Sequence, residues 1–261
     1  MRNEALVGYL LHQRPYQEKR ALYYLFSQQY GVIHGIGKKG APLFMPLQLF
    51  ATGKRDLKTF SQIGITSQNA AEIEISNDSD SNSAALVPYE NITGQHQYSA
   101  LYLNEILWRL LPTEDPMPVL WQYYQDSLRQ LRQPLSANEL RLCLRKFEQH
   151  LFEELGFTLT LTHDSVQDTI EADCFYRFLP DVGLVPIVLN NTHSEHLESE
   201  SAQTIFRGAD LIQMAESGIT ETTLNAWSKL HRYLLDHLLD YQPLQSRLLW
   251  QQQQRYQKDF L

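Results

Sequence analysis

The chain has little of what a secreted, membrane-spanning or disulfide-linked protein needs. Its 261 residues include only two cysteines, Cys143 and Cys174, which excludes a disulfide framework and favours a reducing cytoplasm. No apolar run approaches the roughly 20 residues of a membrane-spanning helix. The first residues, MRNEALVGYLLHQRPY, combine Glu4 with an early break in apolar character, so they do not predict a signal peptide. We therefore expect a cytoplasmic protein.

Motifs that hold phosphates or activate a nucleophile are also missing. The sequence contains neither a Walker-type phosphate loop nor a G-x-S-x-G nucleophile elbow. Its one G-x-G, at Gly35 and Gly37, lacks the third glycine and the following helix of a dinucleotide-binding motif. Cys143 lies beside the apolar stripe of a predicted helix, which favours a buried structural thiol. We expect no enzyme activity and no cofactor.

The charges that are present are unevenly distributed. Residues 1–66 carry nine lysines and arginines against three acidic residues, a net charge of +6, and because the whole chain carries −8 the remainder carries −14. A polyanion is repelled by most of such a chain, so any affinity for nucleic acid has to be concentrated in the N-terminal module.

The first quarter of the chain is patterned for strands. Short apolar or alternating segments at 6–11, 21–26, 32–36, 47–51 and 57–63 are separated by polar or glycine-marked connections. Five such strands are compatible with a small closed barrel of the OB type. The low-complexity stretch that follows, SNDSDSNSA, cannot bury a core and indicates a linker or an exposed loop.

Beyond this stretch the apolar period changes from two to 3.6, which predicts helices near 98–110 and 119–131. A third helix begins with the capping box of Ser136 and Glu139 and ends at Gly156. Residues 157–190 return to strand-like alternation, and helices near 201–216 and 220–240 follow, the last with Thr220 as its N-cap. The glutamine-rich end suits either a continued helix or a frayed one.

The sequence therefore predicts an α+β protein. Its N-terminal OB-fold β-barrel occupies residues 1–75, and residues 76–90 form a linker or exposed loop. A mainly α-helical C-terminal domain, residues 91–261, contains a small β-like insertion at about 157–190.

The N-terminal module has both features that bind single-stranded nucleic acid, namely cations for phosphates and aromatic rings for bases. The cationic candidates are Arg14, Lys19, Arg20, Lys38, Lys39, Lys54, Arg55 and Lys58. About half of the aromatic side chains must fill the interior of a small barrel. We expect Tyr24 and Phe26 in that core, and Tyr16 and Tyr23 to stack on bases.

Two further clusters have both a functional and a simpler interpretation. The third helix carries cations beside an apolar stripe, which suits either a solvated face or a groove for the acidic and aromatic tail of a partner protein. These residues are Arg141, Arg145, Lys146, Phe147 and Leu151. His193 and His196, with glutamates nearby, suit either a solvated loop or a divalent ion in a metal-dependent hydrolase. We favour the loop and expect no metal.

Six segments occur in an order that extends over almost the entire chain. They are VGYLLHQRPYQEKR, LYYLFSQQYGVIHGIGKKG, LFATGKRDLKTF, LYLNEILWRLLP, LRKFEQHLFEELGF and PLQSRLL. In this succession they resemble the bacterial RecO family of DNA repair proteins. The resemblance implies a DNA-binding OB-fold, a C-terminal helical domain and a non-enzymatic role.

The same resemblance implies a recombination mediator that binds single- and double-stranded DNA and anneals complementary strands. It implies action with RecR to load RecA onto strands coated by single-stranded DNA-binding protein, and thus a nucleoid-associated location. A pocket on the helical domain of family members takes the C-terminal tail of the coating protein. Carried over to this sequence, the basic contact of that pocket is Arg145, with Lys146 adjacent.

Two departures from the family pattern qualify these expectations. Many relatives carry four cysteines as a zinc site in the C-terminal half, whereas the stretch 161–190 retains only Cys174, so no structural zinc is expected. Several relatives also have a longer basic loop after the third strand than GKKGAPLFMP. An OB-fold RNA-binding or translation-associated factor remains the alternative, because the fold binds both nucleic acids.

Overall fold

The computed structural model describes residues 3–66, 91–187 and 204–259 of the chain. The predicted linker at 76–90, together with His193 and His196, lies outside these ranges. The chain forms two compact units, one made of residues 1–133 and 244–261 and the other of residues 134–243. The predicted domain boundary near residue 75 does not coincide with these units, because the first two helices and the last one belong to the same unit as the barrel.

The first unit contains a closed five-stranded barrel in the order β1-β2-β3-β5-β4. The strands are β1 (Glu4–Gln17), β2 (Arg20–Ser27), β3 (Gly31–Lys38), β4 (Pro46–Thr52) and β5 (Leu57–Ile65). All contacts between neighbouring strands are antiparallel except that between β3 and β5, which is parallel. The predicted OB-like barrel is confirmed.

The barrel interior is filled by alternate side chains of every strand, as the period of a strand requires. These include Leu6, Leu10, Ala21, Tyr23, Leu25, Ile33, Leu47, Leu49, Ala51 and Phe60. The two glycines of the G-x-G also point inward. A Cβ on Gly35 would lie 2.5 Å from the ring of Phe60, and one on Gly37 would lie 2.9 Å from the ring of Tyr23. These glycines therefore make room for two rings inside the barrel.

Strand β1 is longer than predicted. Its apolar pattern predicts an end at Leu11, but the strand continues through Pro15 to Gln17 as a hairpin with β2. Register shifts occur between Leu10 and His12 and between Pro15 and Gln17. Because β1 pairs with β4 only as far as Tyr9, no second strand among the described residues pairs with β1 at Pro15, where a proline costs no ladder hydrogen bond.

Three helices complete the first unit: α1 (Gln95–Leu110), α2 (Pro118–Leu131) and α6 (Gln245–Asp259). The first two agree with the predicted positions, and the glutamine-rich end is helical. The buried carboxylate of Glu105 on α1 accepts the backbone N–H groups of Gln245 and Ser246 at 2.8 Å each. These are the first N–H groups of α6, which have no partner within their own helix.

The second unit combines three helices with a small sheet of order β7-β6-β8. Its elements are α3 (Ala137–Glu154), β6 (Phe175–Leu179), β7 (Gly183–Ile187), β8 (Ile205–Arg207), α4 (Gly208–Ser217) and α5 (Leu224–Leu238). The predicted capping box of Ser136 and Glu139 is present at the start of α3. The α+β class, with a small sheet in the helical part, is confirmed.

Three local predictions in the second unit were wrong. Residues 157–163 form no strand, since their alternation reflects one half-buried side of an extended segment. Residues Ile205–Arg207 were predicted as helix but pair with β6 as β8, and the helix starts only at Gly208. The N-cap of α5 is Thr223 rather than Thr220, and the Thr223 hydroxyl donates to the carbonyl of Gly218 at 2.6 Å.

Among the described residues, no helix is both long and apolar enough to cross a membrane.

Candidate nucleic-acid interface

The β1–β2 turn and the end of β3 bring four of the predicted cations together. Arg20 and Lys38 are direct cross-strand neighbours. The backbone N–H of Lys39 donates to the carbonyl of Lys19 at 3.1 Å, and its ammonium group donates to the carbonyl of Glu18 at 2.9 Å. All four cationic side chains are exposed. We call Lys19, Arg20, Lys38 and Lys39 the hairpin cations.

Lys54 and Arg55 lie in the turn between β4 and β5 and are also exposed. We call them the turn cations. The β3–β5 register pairs His34 with Leu57 and Ile36 with Thr59, so both strands run from the turn cations towards Lys38. Six of the eight predicted cations therefore form two groups at opposite ends of the β3–β5 pair rather than one continuous patch.

Lys58 does not belong to either group. Its side chain is only 5% exposed, and its ammonium group lies 2.5 Å from the carboxylate of Glu114 and donates to the carbonyl of Arg55 at 2.7 Å. The predicted role of Lys58 in binding phosphates is therefore not supported by its position. The reason is strand alternation, because Lys58 shares the inward side of β5 with Phe60.

The two neighbouring tyrosines of β2 exchange the positions predicted for them, since Tyr23 points into the barrel and Tyr24 points outward. Tyr23 lies in the barrel core at 1% exposure, with its hydroxyl donating to the carbonyl of Lys38 at 2.6 Å, so it cannot stack on a base. Tyr24 is half-buried on the outer face, whereas Phe26 is fully buried against Trp121 and Tyr124. Tyr16 is 53% exposed, as a stacking residue requires.

An aromatic cluster that the sequence analysis did not predict covers part of the outer face. The rings of His12 and Trp108 stack at 4.8 Å with an interplanar angle of 14°, and Tyr24 lies 5.4 Å from Trp108. His34 meets Tyr24 edge-on at 4.4 Å. The guanidinium group of Arg14, an exposed side chain, lies 5.6 Å from the Tyr24 ring centroid.

Both histidines of this cluster are shifted towards the neutral form. Burial lowers the pKa of His12, and the charge of Arg14 lowers it further, while Glu105 opposes the shift. Burial also lowers the pKa of His34, against a smaller effect of Asp56. At neutral pH the cluster therefore offers uncharged rings next to one cation. Strand alternation alone did not show that His12, Tyr24 and His34 take the outward positions of their strands; the register of β1, β2 and β3 brings them together.

The candidate peptide-binding residues of α3 are not arranged as an open groove. Phe147 and Leu151 are 1% and 0% exposed and belong to the core of the second unit. Arg141 donates to the side chains of Asn225 at 2.8 Å and Ser228 at 3.2 Å. Lys146 is exposed. The expectation that the two apolar side chains line a surface groove is thus contradicted by their burial.

Arg145 belongs to a buried chain of polar groups that the sequence analysis missed. Its guanidinium donates to Glu148 at 2.5 Å, and the other carboxylate oxygen of Glu148 lies 3.0 Å from Nδ1 of His231. Glu148 and His231 are fully buried, and the Arg145 side chain is 13% exposed. The pKa of His231 is lowered, mainly by burial and to a smaller extent by the charge of Arg145, although the carboxylate of Glu148 opposes the shift. The neutral ring therefore donates its Nδ1 proton to Glu148.

The part of the chain that the structure describes contains no group of three or more His, Cys, Asp or Glu side chains that could hold a metal ion. Cys174 is half-buried, and a hydrogen bond to Glu171 raises the pKa of its thiol.

A cleft of about 470 Å³ lies beside the hairpin cations. Lys38 and Lys39 line it on one side, and the end of β5 lines it on the other.

The chain is similar in sequence to one protein family and to several named bacterial proteins. The profile described as "Recombination protein O C terminal" matches residues 93–248. A protein of Pseudomonas paraeruginosa named "DNA repair protein RecO" is 32% identical over 98% of both chains. Proteins of the same name from Stutzerimonas stutzeri, 33% identical over 93% of this chain and 92% of the relative, and from Pseudoalteromonas atlantica, 30% identical over 97% and 96%, are also similar. Because both the profile and full-length relatives match, the chain belongs to the RecO family.

Proposed function

We propose that this protein is a mediator of DNA repair and homologous recombination that binds single- and double-stranded DNA and anneals complementary strands. The observation that carries this proposal is the concentration of exposed cations at two ends of an OB-like barrel in a chain that is otherwise strongly acidic. The name of the relatives, DNA repair protein RecO, supports the choice of DNA over RNA.

Annealing requires no catalytic residue in this proposal. Two strands repel each other through their phosphates, and cations on a protein surface replace the counterions that each strand would otherwise hold. The hairpin cations and the turn cations together supply six exposed positive charges at separate positions. One strand, or two strands side by side, can therefore contact both groups at once.

The test is the salt dependence of DNA binding. The variant Lys38→Ala/Lys39→Ala/Lys54→Ala/Arg55→Ala removes charges from both groups, and all four side chains are exposed. For an unstructured oligonucleotide each lost phosphate contact reduces the slope of log K against log salt by about 0.7. We expect weaker binding and a slope that is less steep by up to about 3. The wild-type slope measured under identical conditions is the reference.

A matched control removes cations from elsewhere on the chain. Arg129→Ala/Arg232→Ala changes two exposed arginines on helices α2 and α5. It is compared with Lys38→Ala/Lys54→Ala, which changes net charge by the same amount. Equal effects of the two double variants would attribute binding to overall charge and contradict the proposed interface. Competition between DNA and RNA oligonucleotides of matched sequence tests the RNA-binding alternative.

We further infer that the second unit recruits protein partners, among them the acidic C-terminal tail of single-stranded DNA-binding protein. Lys146 is exposed, and the partly exposed Arg145 lies one residue before it. A terminal carboxylate of the tail would contact this pair of cations. In this proposal RecR assists the protein in loading RecA onto coated strands.

The geometry of Arg145 decides how tail binding should be tested. Since Arg145 is paired with the buried Glu148, its removal disturbs the core as well as the surface. Lys146→Ala is the cleaner variant, and Lys146→Arg keeps the charge. Calorimetry with the tail peptide should show weaker binding for Lys146→Ala and near-normal binding for Lys146→Arg, with bare-DNA binding unchanged. Equal peptide affinity for all three proteins would overturn the assignment.

A further inference from the structure

The outer face of the barrel carries a row of side chains that crosses four strands. Register pairs His12 with Tyr24, Tyr24 with His34, and His34 with Leu57. Directly paired residues share one face of a sheet, so these side chains are neighbours. The three rings are half-buried, and Leu57 is 47% exposed. Trp108 of α1 stacks on the His12 end of the row. We call these five residues the aromatic row.

The aromatic row lies between the two cationic groups. Leu57 directly follows the β4–β5 turn that holds Lys54 and Arg55. Towards the other end of these strands, the pair Arg20 and Lys38 lies four residues from the pair Tyr24 and His34. Four residues are two side-chain repeats on the same face of a strand. Successive residues on one face of a strand are about 6.6 Å apart, so this distance is about 13 Å.

The step between the aromatic row and the hairpin cations contains another cation. Arg14 is the cross-strand neighbour of Leu22, and Leu22 pairs with Ile36. The Arg14 guanidinium lies over the Tyr24 ring at 5.6 Å and near the Trp108 ring at 5.8 Å. Along the direction of the strands, the rings are thus flanked by the turn cations on one side and by Arg14 and the hairpin cations on the other.

This inference rests on the proposed function and specifies its ligand. We propose that the aromatic row stacks on unpaired bases of single-stranded DNA, while Arg14 and the flanking cationic groups contact its phosphates. Phosphate contacts cannot distinguish single strands from duplexes, but base faces are accessible only in a single strand. The row therefore gives the barrel a preference for single-stranded DNA.

The chemistry of the row fits bases better than phosphates. Burial holds His12 and His34 in the uncharged form at neutral pH, where they are flat rings without positive charge. Asp56 and Glu105 are the acidic groups that act on them, and Arg14 is the cation. The packing of α1 on the barrel explains why Trp108 contacts His12. It does not explain why Leu57 is exposed or why His34 on β3 is half-exposed.

The test compares two single-stranded probes with the same number of phosphates. One is an oligothymidine, and the other is an abasic oligonucleotide of the same length, both at fixed salt. Because one stacked base contributes the equivalent of roughly tenfold or more in affinity, wild-type protein should bind the oligothymidine at least about tenfold more tightly. Tyr24→Leu/His34→Leu keeps apolar bulk but removes two rings, and should lose most of this preference.

The matched control is Tyr24→Phe/His34→Phe, which keeps two rings and should retain the preference for bases. Thermal unfolding of each variant checks that the barrel is intact. The comparison of the two probes on wild-type protein does not depend on any variant folding correctly. If wild-type protein binds both probes equally and in a salt-dependent way, base stacking by the aromatic row is overturned, while the proposed function in DNA binding stands. A preference that survives in the leucine variant would also overturn base stacking by the aromatic row. Absence of salt-dependent binding to either probe would overturn the proposed function itself.

Discussion

The hydroxyl of Tyr124 on α2 donates to the side-chain oxygen of Asn104 on α1 at 2.6 Å. The amide nitrogen of Asn104 in turn donates to the carbonyls of Leu10 and Leu11 at 3.1 and 3.2 Å. These carbonyls lie at the first register shift of β1, where the ladder leaves groups unpaired. One buried amide therefore connects both helices to the irregular part of the barrel.

Replacing Asn104 with alanine should destabilise the first unit strongly. The change removes the three buried hydrogen bonds that Asn104 makes with Tyr124 and with the carbonyls of Leu10 and Leu11. A hydrogen bond contributes about 0.5–1.5 kcal/mol to stability. We expect a loss of about 3 kcal/mol in the free energy of unfolding, measured by urea denaturation. Tyr124→Phe removes the hydrogen bond to Asn104 but keeps those of Asn104 to β1, and should cost about 1 kcal/mol. Equal losses for both variants would contradict this account.

Gly35 should tolerate no side chain, although its backbone is not in the left-handed region. The obstacle is the Phe60 ring, 2.5 Å from the position of a Cβ. Gly35→Ala should cost about 1–3 kcal/mol through overpacking, and Gly35→Ala/Phe60→Leu should recover part of this loss. Gly64→Ala, where no atom lies within 4 Å of a Cβ, is the control and should be nearly neutral. Thermal unfolding compares the three proteins.

Arg145 should contribute to stability as well as to partner binding. Removing one member of a buried ion pair leaves an uncompensated charge, which costs about 3 kcal/mol. We expect Arg145→Ala to lose about this amount, because Glu148 is fully buried. Arg145→Ala/Glu148→Gln should be more stable than the single variant, since the remaining charge is also removed. A double variant as unstable as the sum of both single variants would contradict the coupling.

Stability should fall as the solution becomes acidic, partly through His231. Its folded-state pKa is lowered by burial, so the unfolded chain binds the proton more readily than the folded chain does. The free energy of unfolding should therefore decrease as the pH falls below the unfolded value of about 6.5. His231→Asn should flatten this dependence between pH 7.5 and 5.5 in urea titrations. The exposed His163, replaced by asparagine, serves as the control.

The sequence was sufficient to predict the elements whose signal is local. The five strands, the capping box of Ser136 and the end of α1 at Leu110 depend on neighbouring residues, and all agree with the structure except the end of β1, which extends past Leu11. The small sheet was harder, because Ile205–Arg207 becomes a strand only through its contact with β6. Three residues carry no period that distinguishes a strand from the start of a helix.

The candidate site was less predictable, because it depends on which face of each strand points outward. The exchange of Tyr23 and Tyr24 between core and surface follows from register, and adjacent residues of one strand give no indication of the inward side. Lys58 was misassigned for the same reason. The contact between Trp108 and His12 joins residues far apart in the chain, and only the packing of α1 against β1 reveals it.

In the proposed complex, DNA lies on the outer face of the barrel between the hairpin cations and the turn cations. Photocrosslinking with a bromodeoxyuridine oligonucleotide, followed by mass spectrometry of the crosslinked peptides, tests it most directly. We expect crosslinks at Tyr24, His34 or Trp108, which an excess of unlabelled single strand suppresses. Crosslinks confined to residues 134–243, with none on β1, β2, β3 or α1, would contradict it.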